Sequence, residues 1–584
     1  MSARDTSLNP AARSNVNSWW GAATVDVLWA LGVRTVVLSP GSRSTPLTFA
    51  CAAHGKMDTR VVLDERSAAF FALGIAKARH ETVALVCTSG SAVANYLPAV
   101  VEAAESGVPL LLLTADRPVE LRYRHAGQTI DQVKIFGGAV RLFAEAPLPE
   151  PRLEILAAWR DLLTQAVTRT TSGHPGPVHL NCPFREPLSP GTQVDPSLPI
   201  ILAHFTENVA TIPIRRRLDL PASLPRAGWI VAGPVSPKDP EAYVSAVTDL
   251  SRALGWPILA DALNPCRHFA DTGCEHVISA YDCLLRNPET RDQVRPEGVL
   301  QLGELPTSKV LRETLASWQL PTWIVDPAPD SRNAVAAPAT YVSCLVEELS
   351  IGSNRDLSSV PIATQHLLAA NRAACTQLEA ALGATTAWIE PRIARSLIEE
   401  TPDETPIYVA SSMPVRDAEY FWSANLGRRP IFFNRGANGI DGTLSTALGV
   451  AEGLGRSTVL YTGDLALLHD TNGLLIASTT FTGSLTIVCI NNAGGGIFEH
   501  LPIAAHGDLF ERCFATPQHV DFARWAAAYG INYQQLEHPE DLAAALRTLP
   551  ASGVRLLEIR TDRKRDAAWR KKTFAEASAS GTRP

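Results

Sequence analysis

Two apolar runs, STVLYTGD (457–464) and SLTIVCINN (484–492), end in side chains that could hold a metal ion, and a glycine run follows the second. Apolar runs of this kind read as strands of a parallel sheet. In open α/β sheets, ligands bind beyond the carboxyl ends of the strands, which is where Asp464 and Asn492 stand. The Asp464 carboxylate, the Asn492 amide oxygen and a backbone carbonyl just beyond it, at Gly494, are hard oxygen ligands. Such a set suits Mg2+ (or Mn2+), which commonly shares its sphere with phosphates. Gly463 lets the backbone approach an anion, and a helix opening at Leu465 would point N–H groups towards it. Glycines 494–496 permit a tight turn around the same anion. The chemistry implied is a magnesium diphosphate site. The same residues also fit a plain strand end with a capping aspartate and a glycine turn, and Asn491 is an alternative to Asn492.

GDL…INNAGG is similar to the signature of thiamine-diphosphate enzymes, with Leu465 where a glycine is often found. Such enzymes need a carboxylate from another domain to hydrogen-bond the aminopyrimidine ring, which then takes the thiazolium C2 proton. VVLDERSAAFFALG (61–74) offers Glu65, behind an apolar run and at the start of an apolar helix, where a carboxylate suits the helix dipole. A first-turn acid that only stabilises the helix fits equally, and Asp64 could play that part.

These residues need strands and helices to hold them. Apolar runs at 35–39, 60–63, 82–87, 109–114 and 177–181 alternate with helical patterns, and a proline-rich stretch over 186–226 reads as a linker. A second set falls at 228–233, 256–261, 298–304, 322–326 and 340–346, with a second linker at 350–361. A third set falls at 406–412, 430–434, 457–464, 484–492 and 554–560. The expectation is three α/β domains with parallel sheets: 1–190 (pyrimidine-binding), 191–360 (central) and 361–584 (diphosphate-binding). No short sequence repeat is evident. The basic stretch DRKRDAAWRKK near the carboxyl end reads as a solvated helix face.

The chain has 584 residues, 46% hydrophobic and 19% charged, with a formal net charge of −7. The acidic balance argues against a nucleic-acid binder. No run approaches the roughly 18 apolar residues of a membrane span, and MSARDTSLNPAARS lacks a signal core, so a soluble cytoplasmic protein is expected. Ten cysteines without a CxxC pair read as small buried hydrophobes. Cys266, His268, Cys274, His276 and Cys283 match no usual zinc spacing and read as a surface loop.

SPGSRSTPLTFA (39–50), DERSAAFFALGIAK (64–77), LTADRPVELR (113–122), GQTIDQ (127–132), TSK (307–309), SSMPVR (411–416), NRGANGIDGTLSTALG (434–449) and NNAGGGIFEHLP (491–502) together resemble the MenD family. These are thiamine-diphosphate enzymes, the 2-succinyl-5-enolpyruvyl-6-hydroxy-3-cyclohexene-1-carboxylate synthases. The resemblance runs from about residue 15 to about residue 560 and is thinnest in the middle domain. It implies decarboxylation of 2-oxoglutarate and conjugate addition of the resulting succinyl carbanion equivalent to isochorismate. Both substrates are dicarboxylates, which arginine binds in bidentate fashion. By the same resemblance, Ser42, Arg43, Arg117, Gln128 and Lys309 would face isochorismate. Ser412, Arg416 and Arg435 would hold the 2-oxoglutarate part. Ile440 would lie under the cofactor, and Ile497 and Phe498 would wall the pocket or simply pack in the core. Val310 stands where the family often has a basic residue. The family also implies at least a dimer, a homodimer or homotetramer, with the cofactor shared between the first domain of one chain and the third of another. An acetolactate-synthase-like carboligase or decarboxylase is the alternative.

Overall fold

The computed structural model describes residues 14–198, 218–219, 224–269, 273–328, 332–350 and 360–580. The linkers expected over 186–226 and 350–361 fall largely outside the described residues, as does the amino-terminal stretch to residue 13. Contacts divide the chain into two compact units. The first takes Met1–Pro213, Asn434–Gly455 and His469–Gly483; the second takes Ile214–Phe433, Arg456–Leu468 and Ser484–Pro584.

Three parallel sheets carry the fold, as the sequence predicts, each with six strands where the sequence showed five. The first, in the first unit, comprises β1 (Thr35–Leu38), β2 (Asp58–Val61), β3 (Val83–Cys87), β4 (Leu110–Asp116), β5 (Leu142–Glu145) and β6 (Val178–Pro183), in the order β2-β1-β3-β4-β6-β5. β1, β3 and β4 are buried along their whole length, which is why they read as continuous apolar runs. The second sheet comprises β7 (Gly228–Ala232), β8 (Ile258–Ala260), β9 (Val277–Ile278), β10 (Gly298–Leu302), β11 (Thr322–Val325) and β12 (Ala339–Val342), in the order β9-β8-β7-β10-β11-β12. The third comprises β13 (Ile407–Val409), β14 (Ile431–Phe433), β15 (Thr458–Gly463), β16 (Ser484–Asn491), β17 (Asn532–Leu536) and β18 (Gly553–Arg560), in the order β14-β13-β15-β16-β18-β17. The first and third sheets share one strand order although their sequences show no repeat. In both, the order reverses beside the first strand, and that switch point is where an open sheet presents its ligand crevice.

Seven helices bear on the site: α1 (Glu65–Arg79), α2 (Lys309–Trp318), α3 (Glu390–Glu400), α4 (Met413–Phe421), α5 (Thr443–Leu454), α6 (Asp464–His469) and α7 (Arg563–Ser580). α5 belongs to the first unit, where it crosses α1 closely. A Cβ on Gly74 would lie 2.1 Å from the Thr446 carbonyl oxygen, and one on Gly449 would lie 2.1 Å from that of Phe71. Only glycine permits the backbones to approach so far.

Two expectations are corrected. The carboxyl-terminal basic stretch is not simply a solvated face. Asp566, Arg570, Thr573, Phe574 and Ala577 of α7 are buried at helical spacing, with Phe574 and Ala577 in a core cluster beside Leu284 and Phe421. The stripe escapes a sequence reading because two of its members are charged. Nor is the cysteine–histidine stretch a surface loop. Cys266, His268, Cys274 and Cys283 are buried, and Arg267 beneath them is tied to the carbonyls of Ala260, Trp422 and Ser279 and to Glu419. Among the described residues no cluster of His, Cys, Asp or Glu is arranged for a metal ion. No disulfide forms, and eight of the ten cysteines are buried. Among the described residues no helix is long and apolar enough to cross a membrane.

Candidate active site

In the first unit, the loops after β1 and β3 flank the switch point. Arg43 is buried, donating Nη1 to the Phe184 carbonyl at 2.9 Å and pairing Nη2 with the exposed Glu186 at 3.1 Å. Its buried Nε has no partner. Arg117, following β4, donates Nη1 to the Ser89 hydroxyl and Nη2 to the Gly127 carbonyl at 2.9 Å. Burial lowers the Arg117 pKa, and the Arg43 guanidinium adds to the effect. Gln128, at φ +57°, donates to the Ser89 carbonyl at 3.0 Å. Arg117 and Gln128 thus gather around Ser89, a residue to which the sequence reading gave no role. Ser42 is exposed beside them. Guanidiniums of this kind suit a carboxylate.

Glu65 opens α1, but it does not cap the helix. Asp64 does, accepting from the N–H groups of Arg66 and Ser67 at 2.8 and 3.2 Å. Glu65 is half-buried and has no hydrogen-bond partner among the described residues. Its field is felt by the buried Tyr96 and Cys87, whose pKa values it helps to raise after burial has done most of that work. Ile440, half-buried, and Arg435, buried, lie in the NRGANG loop of the same unit. Glu102 anchors that loop, accepting from the N–H groups of Gly436 and Ala437 at 3.0 and 2.7 Å.

In the second unit, Gly463 ends β15 and Asp464 opens α6. Asp464 is buried and accepts from the N–H of Leu465 at 2.8 Å and that of Gly494 at 2.9 Å. Burial pushes its carboxyl up to about 7, against those two donors and with Glu390 adding to the rise. Asn491 and Asn492, equivalent in sequence, differ in their bonds. The Asn491 amide donates to Glu558 at 2.7 Å and accepts from the Ala493 N–H at 3.2 Å. The Asn492 amide donates to Glu390 at 2.6 Å, and its buried Oδ1 has no partner. Gly494, at φ +134°, brings its N–H to Asp464, and a Cβ there would lie 2.2 Å from the Ala515 carbonyl oxygen. The Gly494 carbonyl accepts from the Gly496 N–H at 2.9 Å and keeps its second lone pair. A Cβ on Gly463 would meet only the Ile490 carbonyl oxygen, at 4.0 Å, so the space before that backbone is open.

These residues fit a divalent cation. A buried, partnerless amide oxygen costs about 1–3 kcal/mol, and a buried carboxylate held only by two neutral N–H donors is costly to ionise without a positive charge beside it. A hard cation relieves both. Because a ligand must be deprotonated to bind metal, Mg2+ affinity in the presence of thiamine diphosphate is expected to fall as pH is lowered through about 7. Calorimetric titration across that range checks this, and a flat profile would detach Asp464 from the metal.

Beside this site, Ser412 caps α4 in a strained conformation, φ +74° and ψ −130°. Its carbonyl accepts from Arg416 Nη1 at 2.6 Å. Arg416 has no carboxylate partner among the described residues, and burial lowers its pKa, with Arg312 adding to the effect. Ile497 and Phe498 are half-buried, and Phe498 meets Phe514 edge-on at 5.9 Å. Lys309 makes no hydrogen bond or ion pair with these among the described residues. It opens α2, its side chain is 79% exposed, and it pairs with Glu313 at 3.4 Å. Val310 packs against the core.

Three family models match in succession: the thiamine pyrophosphate enzyme N-terminal TPP binding domain over residues 19–135, the middle domain over 210–409 and the C-terminal TPP binding domain over 413–559. The chain is 47% identical over 98% of both chains to the 2-succinyl-5-enolpyruvyl-6-hydroxy-3-cyclohexene-1-carboxylate synthase of Synechococcus elongatus. Proteins of the same name from Microcystis aeruginosa and a Nostoc species are 46% and 44% identical, over 95% and 98% of this chain and 98% and 99% of their own. Matched from end to end by relatives that share one name, the chain belongs to the 2-succinyl-5-enolpyruvyl-6-hydroxy-3-cyclohexene-1-carboxylate synthase family of thiamine-diphosphate enzymes.

Proposed function

We propose that the protein decarboxylates 2-oxoglutarate on thiamine diphosphate and adds the succinyl carbanion equivalent to isochorismate. The products are CO2 and 2-succinyl-5-enolpyruvyl-6-hydroxy-3-cyclohexene-1-carboxylate, a step towards menaquinone or phylloquinone. The observation that carries the choice of 2-oxoacid is Arg416, a half-buried guanidinium without a carboxylate partner among the described residues of a thiamine-enzyme chain. Only an acid with a distal carboxylate makes use of it.

Thiamine diphosphate, when bound, supplies the electron sink for decarboxylation. Asp464, Asn492 and the Gly494 carbonyl would hold Mg2+ or Mn2+ for the diphosphate, beside Leu465 and the open backbone at Gly463. Glu65 holds a proton at the aminopyrimidine ring. Ile440 supports the cofactor, and Ile497 and Phe498 exclude water. Arg416, Arg435 and Ser412 orient 2-oxoglutarate. Ser42, Arg43, Arg117 and Gln128, with Lys309, receive isochorismate, and the two guanidiniums also stabilise charge that develops on it. The reading carries the domain limits 1–190, 191–360 and 361–584, a cytoplasmic location, and a homodimer or homotetramer in which domains of different chains share the cofactor.

The test measures CO2 release from 2-oxoglutarate and from pyruvate, with and without isochorismate. Preference for pyruvate would overturn the reading in favour of an acetolactate-type carboligase. Removing one partner of a buried charge pair costs about 2–5 kcal/mol, so Arg416→Ala is expected to cut kcat/KM for 2-oxoglutarate by about 30-fold or more. Any pyruvate turnover should fall far less. Equal losses for both acids would make Arg416 structural.

A further inference from the structure

Behind Asn492 lies a buried charge network that neither the family signature nor the substrate chemistry calls for. Glu390, the first residue of α3, is 2% exposed. Its Oε1 accepts from Asn492 Nδ2 at 2.6 Å, and its Oε2 accepts from Arg570 Nη2 at 2.5 Å. Arg570, on α7 and also 2% exposed, holds Asp417 in bidentate fashion through Nε and Nη2, at 2.7 and 2.6 Å. Asp566, one turn earlier on α7, accepts from the Glu390 N–H at 3.0 Å. Asp417 is the neighbour of Arg416. A single polar chain therefore runs from the carboxyl-terminal helix to the amide of Asn492.

An asparagine amide has two ends of nearly equal size, and its partners decide which end faces which way. An ionised carboxylate can only accept, so Glu390 forces Nδ2 towards itself and leaves Oδ1 facing away, where it is buried and unpartnered. Arg570 fixes the carboxylate in turn. We propose that Glu390, locked by Arg570 of the carboxyl-terminal helix, is a positioning residue that presents the Asn492 oxygen to the divalent cation. This rests on Asn492 being a metal ligand in the function proposed above.

The alternative is that Glu390 merely ties α3 to α7, and metal affinity separates the two. In Glu390→Gln, Arg570 still donates and draws the new amide oxygen to itself. The new NH2 group then faces Asn492, whose oxygen turns inward to meet it and whose NH2 turns to the metal. Titrating Mn2+ in the presence of thiamine diphosphate should show a loss of about 10–100-fold, the usual effect of disturbing a residue behind a ligand, with the circular dichroism spectrum unchanged. The double variant Glu390→Gln/Asn492→Asp restores matched donor and acceptor and keeps the pair's charge, so affinity should recover most of that loss. A carboxylate is ordinarily the better ligand for a hard cation. Yet Asn492→Asp alone should bind Mn2+ more weakly than wild type, because Glu390 would face it as a second carboxylate. Wild-type affinity in Glu390→Gln, or a double variant no better than Glu390→Gln, would overturn the proposal. If Glu390→Gln fails to fold, Asn492→Asp decides alone: tighter binding than wild type overturns the proposal. Unchanged Mn2+ affinity in Asp464→Ala would point elsewhere, to a metal site that does not lie at these residues.

Discussion

Glu65→Gln is expected to leave the fold and the cofactor affinity near wild type while turnover falls by about 10²–10⁴-fold, the usual weight of a general acid–base step. The helix does not depend on Glu65, because Asp64 supplies the capping bonds. Glu65 also has no hydrogen bond to lose among the described residues. What the amide cannot do is change its charge state against the aminopyrimidine ring. Three readings separate the outcomes: the circular dichroism spectrum, calorimetric affinity for thiamine diphosphate with Mg2+, and exchange of the C2 proton of the bound cofactor followed by quenched-flow NMR. Slowed exchange with unchanged affinity is the expected result. Wild-type exchange would remove Glu65 from catalysis. A fall in affinity equal to the fall in rate would make it a binding residue only.

The sheets were legible wherever a strand is buried on both faces. Strands such as LLLLT in β4 and TIVCI in β16 announce themselves because nothing on either side needs to be polar. Within the three six-stranded sheets three strands were missed, β5, β9 and β17, and so was a separate two-stranded pairing of Leu218–Asp219 with Leu349–Ser350. All three are sheet edges. β5 is half-buried or exposed throughout, β17 is buried only at Leu536, and β9 has only two residues, so none presents a long apolar run. Helix α7 was misread for a related reason. Its inward stripe includes Asp566 and Arg570, which are buried because they partner each other's neighbours, and a sequence does not show partners. The same limit applies at the metal site. The sequence supplies two adjacent asparagines, and only the carboxylates behind them, Glu558 for one and Glu390 for the other, distinguish a structural amide from one whose oxygen is unpartnered. Glu390 lies on another element far along the chain, and no spacing rule reaches it. Glu65 and Asp64 were indistinguishable for the opposite reason. Both are acids at one helix start, and their difference is a matter of which side chain turns back to the N–H groups.

Asp464→Ala is expected to abolish Mg2+-dependent binding of thiamine diphosphate without unfolding the protein. Burial raises the Asp464 carboxyl from 3.8 to about 7. A carboxyl whose folded pKa is raised contributes stability that is present below its unfolded pKa and is lost as pH rises through the folded value. At pH 8, without metal, Asp464 therefore destabilises the fold, and its charge is tolerated for the sake of the cation it would hold. Removing the carboxylate should raise or preserve the melting temperature of the metal-free protein at pH 8, although Leu465 and Gly494 each lose an acceptor. At pH 4 the same substitution should bring no such gain. Metal and diphosphate then report the opposite effect. Wild type should gain thermal stability on addition of Mg2+ and thiamine diphosphate together, as any ligand that binds only the folded state requires, and Asp464→Ala should gain none. Asp464→Asn keeps an acceptor for one N–H group and should restore the turn but not the metal. A variant that still binds Mg2+ and thiamine diphosphate with wild-type affinity would show that the cation is held elsewhere. A variant that melts far below wild type at pH 8 without metal would show that the two N–H bonds, and not the ion, are what Asp464 is kept for.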